Sequence, residues 1–98
     1  MDPAVEIRRA VETGRVIIGS RQTLKFLKLG KGKLIIVASN CPPELRKAVE
    51  YYSKLTGVKL YVFPGKSVDL GIAVGKPYPI CLMNVLDPGD SQVLGLVK

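Results

Sequence analysis

The run Lys33-Leu34-Ile35-Ile36-Val37-Ala38 constrains this chain more than any other segment. Leu34 to Ala38 are all apolar with no polar alternation, which predicts a strand covered on both faces. It is the candidate for the centre of a sheet, and a strand of that kind needs a layer of structure on each side. The flanking segments supply those layers. Asp2-Pro3 combines a side-chain acceptor with a missing N–H, the pattern of a helix start. Ala4, Ile7, Ala10 and Val11 then share one face, with Glu6, Arg8, Arg9 and Glu12 opposite, and Gly14 stops the helix. Arg15–Gly19 reads as a short apolar strand. Ser20 is placed to cap a second helix through about Leu29, with Leu24 and Leu27 inward and Arg21, Lys25 and Lys28 outward. Gly30 and Gly32 end it in a lysine-rich turn before the central strand.

Beyond that strand, Ser39-Asn40-Cys41-Pro42-Pro43 is a sharp break. A helix follows from about Pro43 to Thr56, with Leu45, Ala48, Val49, Tyr52 and Leu55 at core-face spacing, and Gly57 closes it. Lys59–Phe63 is a strand, Pro64-Gly65 a turn, and Ser67 is placed to cap a short helix through Ala73. A loop at Gly75–Pro79 leads to a strand over Ile80–Leu86 and a turn at Asp87–Asp90. Ser91–Val97 fits either a helical turn or an edge strand. Strands alternate with helices throughout, so the expected class is α/β, with helices on both sheet faces and parallel neighbours at the centre. Residues 1–98 read as a single domain without repeats or linkers.

Composition narrows the function. A hydrophobic fraction of 47% is that of a globular chain, and no apolar stretch approaches the length of a membrane span. The opening Met1–Glu6 has no apolar leader region, so the chain is expected to stay in the cytoplasm, with no membrane partner. Fifteen Lys and Arg against eight Asp and Glu give a net charge of +7, which favours a polyanionic partner. There is no histidine, and Cys41 and Cys81 belong to no metal-ligand cluster. Both are expected to be reduced thiols that serve packing, and no metal, cofactor or enzymatic activity is expected.

Two apparent phosphate-binding motifs fail on spacing. Gly71-Ile72-Ala73-Val74-Gly75-Lys76-Pro77 has one residue too few between its glycines and a proline where a magnesium-binding hydroxyl belongs, so it reads as a helix end. Gly30-Lys31-Gly32 lacks a third glycine and precedes a strand. Asp69, Asp87 and Asp90 all fall at turns or caps. The remaining signal is a clustering of loops. In an α/β sheet the loops after the strands gather along one edge, where ligands bind. Here they are Gly19-Ser20-Arg21-Gln22, Ser39-Asn40-Cys41-Pro42 and Phe63-Pro64-Gly65-Lys66. The first offers helix-terminal amides and Arg21 for phosphate or a guanine edge, and the second offers the Asn40 amide. The Gly75–Pro79 loop offers Tyr78, an aromatic between two prolines that can stack on an unpaired base.

The strings G-S-R-Q-T-L-K-F-L-K-L-G-K-G-K-L-I-I-V-A-S-N-C-P-P, E-Y-Y, D-L-G-I-A-V-G-K-P-Y and L-D-P-G-D-S resemble the L-thirty-e family of large-subunit ribosomal proteins. That family belongs with L-seven-Ae to a superfamily of kink-turn RNA binders, and the resemblance runs from about Val5 to Leu96. It implies a three-layer α-β-α sandwich around a mixed four-stranded sheet. The implied ligand is a sharply bent ribosomal RNA internal loop with sheared G·A pairs and an extruded base. Carried over by motif position, Gly19 allows close approach of the backbone to RNA, and Arg21, Gln22 and Lys25 contact the G·A region and adjacent phosphates. Asn40 bonds a guanine, Tyr78 and Ile80 pack against the extruded base, and Lys28 and Lys33 add phosphate contacts. The L-seven-Ae-like members carry Asn-Glu where this chain has Arg21-Gln22, which points to the L-thirty-e branch. The expected protein is a ribosomal constituent, a monomer when free, with ribosomal proteins as neighbours. The alternatives are a kink-turn protein of a small ribonucleoprotein, a repressor of its own messenger RNA, or a protein-binding module of the same fold. A charge of +7 argues against the last.

Overall fold

The computed structural model describes residues 2–97; Met1, where the leader reading begins, and Lys98 lie outside the described residues. The elements are α1 (Pro3–Thr13), β1 (Arg15–Ile18), α2 (Ser20–Lys28), β2 (Leu34–Val37), α3 (Pro43–Thr56), β3 (Lys59–Val62), α4 (Ser67–Ala73), β4 (Leu82–Asp87) and a 3-10 turn at Val93–Leu96. One mixed sheet carries them in the order β1-β4-β2-β3. β2 is internal, and its four residues are buried on both faces, as the unalternated apolar run requires.

Side chains leave β2 alternately and build two cores. Leu34 and Ile36 pack with Ile7 and Ala10 of α1, Leu70 of α4 and Val93 of the 3-10 turn. Ile35 and Val37 pack on the other face with Leu27 of α2, Val49 of α3 and Leu82. Each such fully buried Leu or Ile contributes about 1.5–3 kcal/mol of hydrophobic stabilisation. The result is the three-layer α-β-α sandwich around a mixed four-stranded sheet.

Several details differ from the sequence reading, each for a physical reason. The central pair, β2 with β4, is antiparallel, and the parallel pair is β2 with the edge strand β3. β4 returns between β1 and β2 in the opposite sense, so it separates two strands that run the same way. β4 begins at Leu82, not Ile80, because the Ile80 N–H donates to the Ser67 carbonyl at 3.0 Å and leaves the ladder. Leu55 is 68% exposed. It lies at the margin of the Leu45–Val49–Tyr52 stripe, and the inward place in that last turn goes to Ser53, whose hydroxyl donates to the Val58 carbonyl. Glu6, expected on the solvent face, is buried. Its Oε1 accepts from the Gln92 N–H at 2.8 Å and its Oε2 lies 3.4 Å from Arg9 Nη1. That anchor helps seat the tail as a 3-10 turn with Val93 fully buried.

Candidate nucleic-acid interface

The register brings four loops to one edge of the sheet. Ile18 at the end of β1 faces Met83, Val37 at the end of β2 faces Leu82, and Val62 at the end of β3 faces Val37. Strands β1, β2 and β3 therefore finish together, beside the point where β4 begins. Backbone hydrogen bonds tie the loops into one surface. The Gly19 N–H donates to the Leu82 carbonyl at 3.1 Å, Ala38 to Cys81 at 2.9 Å, and Ser39 to Gly65 at 3.0 Å. The clustering expected of an α/β sheet is thus realised, with the loop before β4 completing it.

Gly19 opens the edge. Its φ of 114° is one that L side chains rarely adopt, and nothing lies within 4 Å of where a Cβ would stand. This glycine, not Ser20, holds the cap position of α2; Ser20 is the first helical residue, and no side chain caps the end. The first intrahelical bond runs from the Thr23 N–H to the Gly19 carbonyl at 3.0 Å. The N–H groups of Ser20, Arg21 and Gln22 are left at the open end, where the helix dipole favours an anion.

Beyond that end the cations of α2 form a stripe. Arg21, Lys25 and Lys28 line one groove together with Leu24 and Leu29. None of them pairs with a carboxylate among the described residues; the ion pairs there are Arg8–Glu12, Arg9–Glu6 and Arg46–Glu50. Lys28 stands over the Tyr52 ring of α3, 5.3 Å from its centroid, which steadies it in a cation–π contact. Gln22 turns away from this stripe and lines a different groove with Val16, Ile17 and Phe26 beside β1.

Asn40 is exposed, but half of its amide is already engaged. Its Oδ1 accepts the Ser67 N–H at 2.8 Å, which caps the first turn of α4 and leaves the NH2 group free to face a ligand. Ser67, expected to cap α4 itself, is instead its first residue, with Lys66 in the cap position. Asp69 is a cap, accepting the Lys66 N–H at 2.9 Å. On this side of the edge the surface is apolar: Val68, Ile72, Tyr78 and the two flanking prolines line a shallow groove with Lys76. Tyr78 is 48% exposed.

Two of the expected site residues are not at this surface. Ile80 is 2% exposed and lies in the core with Leu70 and Met83, so it supports the Tyr78 loop from beneath and offers no face to a base. Lys33 precedes β2 and donates its N–H to the Val85 carbonyl at the opposite edge, about 16 Å of strand from Ala38. Sequence reasoning missed Ser67, Val68 and Ile72; the i, i+4 spacing of Val68 and Ile72 was the available signal for a shared face.

The rest of the edge is chemically quiet. Cys41 and Cys81 are both free, Cys41 buried and Cys81 half-buried. Burial pushes the Cys41 thiol up, the neighbouring Cys81 adds to this, and Arg46 opposes it, so the thiol stays protonated near neutrality. Among the described residues no group of three or more His, Cys, Asp or Glu side chains could hold a metal, and no helix is long and apolar enough to cross a membrane. The Gly71–Pro77 motif is the end of α4 and its turn, as its spacing indicated, with Gly75 at φ 75°.

Fold and surface together define a small basic α-β-α sandwich that presents open helix amides, unpaired cations and an exposed aromatic along one edge. The chain belongs to the ribosomal protein L7Ae/L30e/S12e/Gadd45 family, whose model matches residues 3–95. It is 53% identical over 93 residues to the large ribosomal subunit protein eL30 of Methanopyrus kandleri, covering 95% of this chain and 85% of that one. Against the eL30 of Methanothermobacter thermautotrophicus it is 48% identical over 97 residues, 99% of each chain. A solved structure of a protein of unknown function from Bacillus halodurans shares the fold, with a TM-score of 0.73 at 20% identity, covering 95% of this chain and 90% of that one.

Proposed function

We propose that this chain is a structural constituent of the large ribosomal subunit that holds a kink-turn internal loop of ribosomal RNA against its strand-end edge. The observation that carries this reading is the pairing of two unlike surfaces across that edge. On the α2 side, open amides and the unpaired Arg21 and Lys25 suit phosphates and base edges. On the α4 side, the exposed Tyr78 in an apolar groove suits an unstacked base. A duplex offers only the first kind of partner; a sharply bent loop with an extruded base offers both. Names and identities of the relatives support the ribosomal assignment, and with it a cytoplasmic location and ribosomal neighbours. The proposed role is binding, not catalysis. A messenger RNA carrying the same internal loop would present the same chemistry to the same edge.

In this reading Gly19, Ser20 and Arg21 meet the RNA backbone and the G·A region, Lys25 and Lys28 extend the phosphate contacts, Asn40 donates to a base, and Tyr78 stacks. Gln22 contributes its backbone N–H. The test compares a kink-turn RNA with the same RNA in which Watson–Crick pairs replace the G·A pairs. The kinked RNA should bind at least about tenfold more tightly, equivalent to one specific contact set of 1–3 kcal/mol. Its log K should fall with log salt at a slope of roughly −2 to −4 for three to five phosphate contacts. Equal affinity for the two RNAs would overturn the proposal.

A further inference from the structure

Gly71 sits in the middle of α4 and is buried, although glycine weakens a helix interior. Its φ is not positive, so conformational need does not explain it. Space does. A Cβ at this position would run into the backbone carbonyl oxygen of Tyr78, with the Tyr78 carbonyl carbon at 3.1 Å and the Pro79 Cα at 3.5 Å. The loop before β4 therefore lies directly on the helix at Gly71. It is also pinned there on both sides of Tyr78. The Lys76 N–H donates to the Gly71 carbonyl at 2.9 Å, and the Ile80 N–H donates to the Ser67 carbonyl at 3.0 Å. Ser67 and Gly71 are one helical turn apart, so residues 76 and 80 are clamped to successive turns of α4 and Tyr78 forms the apex between them.

The helix that carries these pins is itself fixed by Asn40, whose Oδ1 holds the Ser67 N–H. From this geometry we infer that Gly71 is a positioning residue for Tyr78. By having no side chain, it sets the height at which the aromatic meets the ligand, and the Asn40–Ser67 bond refers that height to the β2–α3 loop. The inference rests on the proposal that Tyr78 contacts RNA, and it adds that Gly71, which touches no ligand, controls that contact through the backbone.

The experiment measures kink-turn RNA affinity for the wild type, G71A, Y78A and the double variant, with amide hydrogen exchange of Lys76 and Ile80 in the free proteins. Loss of one base–aromatic stack should weaken binding about tenfold in Y78A. G71A should weaken it by a comparable factor, while adding it to Y78A should cost less than about twofold, because Gly71 acts only through the ring. The Lys76 and Ile80 amides should exchange slowly in the wild type and faster in G71A. Wild-type affinity in G71A, or losses that multiply in the double variant, would overturn the inference. So would rapid exchange of both amides in the wild type, a readout that needs no variant to fold. Full binding by Y78A would instead remove Tyr78 from the interface, and the exchange data would still report whether Gly71 pins the loop.

Discussion

Gly19 at one end of the sheet and Gly14 at the other use the absence of a side chain in opposite ways. At the end where β1, β2 and β3 finish, Gly19 has empty space where a side chain would stand. At the other end Gly14, Gly32 and Gly89 have none. A Cβ on Gly14 would meet the Asp87 carbonyl oxygen and lie 2.7 Å from the Gly89 nitrogen, and one on Gly32 would run into the Asn84 amide. That end is closed further by the Thr13 hydroxyl, which accepts the Asp90 N–H at 2.9 Å. Gly14 lets the protein close on itself, as Gly71 does under the Tyr78 loop, whereas Gly19 leaves room for something else to approach. Residue type alone does not separate the two uses; the distance to the nearest backbone atom does.

The largest expected effect tests that contrast directly. Gly14→Ala forces a methyl group into backbone atoms that cannot rotate away, and should cost about 3 kcal/mol of stability in urea or thermal unfolding. RNA affinity per folded molecule should stay unchanged. Gly19→Ala meets no atoms and carries only left-handed backbone strain, about 1–2 kcal/mol, but should weaken RNA binding. A Gly14→Ala variant as stable as the wild type, or a Gly19→Ala variant that binds normally, would collapse the distinction.

Asn40 joins the two uses in one side chain, because its oxygen serves the fold and its NH2 group faces outward. Asn40→Ala should lose both, roughly 1 kcal/mol of stability from the unpaired Ser67 N–H and about 1–3 kcal/mol of binding. Asn40→Asp keeps an acceptor for the Ser67 N–H, so unfolding should shift by less than about 0.5 kcal/mol, while binding falls at least as far as in the alanine variant. The split needs both measurements on each variant. Normal binding by Asn40→Asp would show that the outward donor contributes nothing.

How much of this was legible in the sequence depends on the range of the interaction that decides each feature. The apolar run of β2, the Asp2-Pro3 helix start and the loop cluster are set by local pattern and general sheet geometry, and they could be read directly. The place of β4 between β1 and β2 is a long-range choice that no local pattern records. Ile80 is apolar and directly follows the largely exposed Gly75–Pro79 loop, so its position in the sequence did not say whether it faces a ligand or the core. Lys33 is near Asn40 in sequence but lies across a strand from it. Glu6 looked like a solvated residue because its partner, the Gln92 N–H, lies at the far end of the chain. Asn40 was singled out for its amide, but that amide's oxygen is committed to a residue 27 positions away.

The smallest expected effect concerns that Lys33 placement. Lys25 and Lys33 carry the same charge and are both exposed, so a chain that attracted RNA by net charge alone would lose equally from either. The structure separates them: Lys25 stands on the α2 stripe that leads from the open helix end, and Lys33 lies at the closed end of the sheet. Lys25→Ala should remove one phosphate contact and make the salt dependence of log K shallower by roughly 0.7–0.9. Lys33→Ala should leave that slope within error and lower affinity only through the screened long-range field, which decays over about 8–10 Å at physiological salt. If both variants shift the slope alike, the RNA extends along the whole of α2 to the far edge, and the interface is longer than the strand-end loops. If neither does, the contacts that set affinity are those of Arg21 and the helix amides, and the stripe beyond the first turn of α2 serves encounter more than grip.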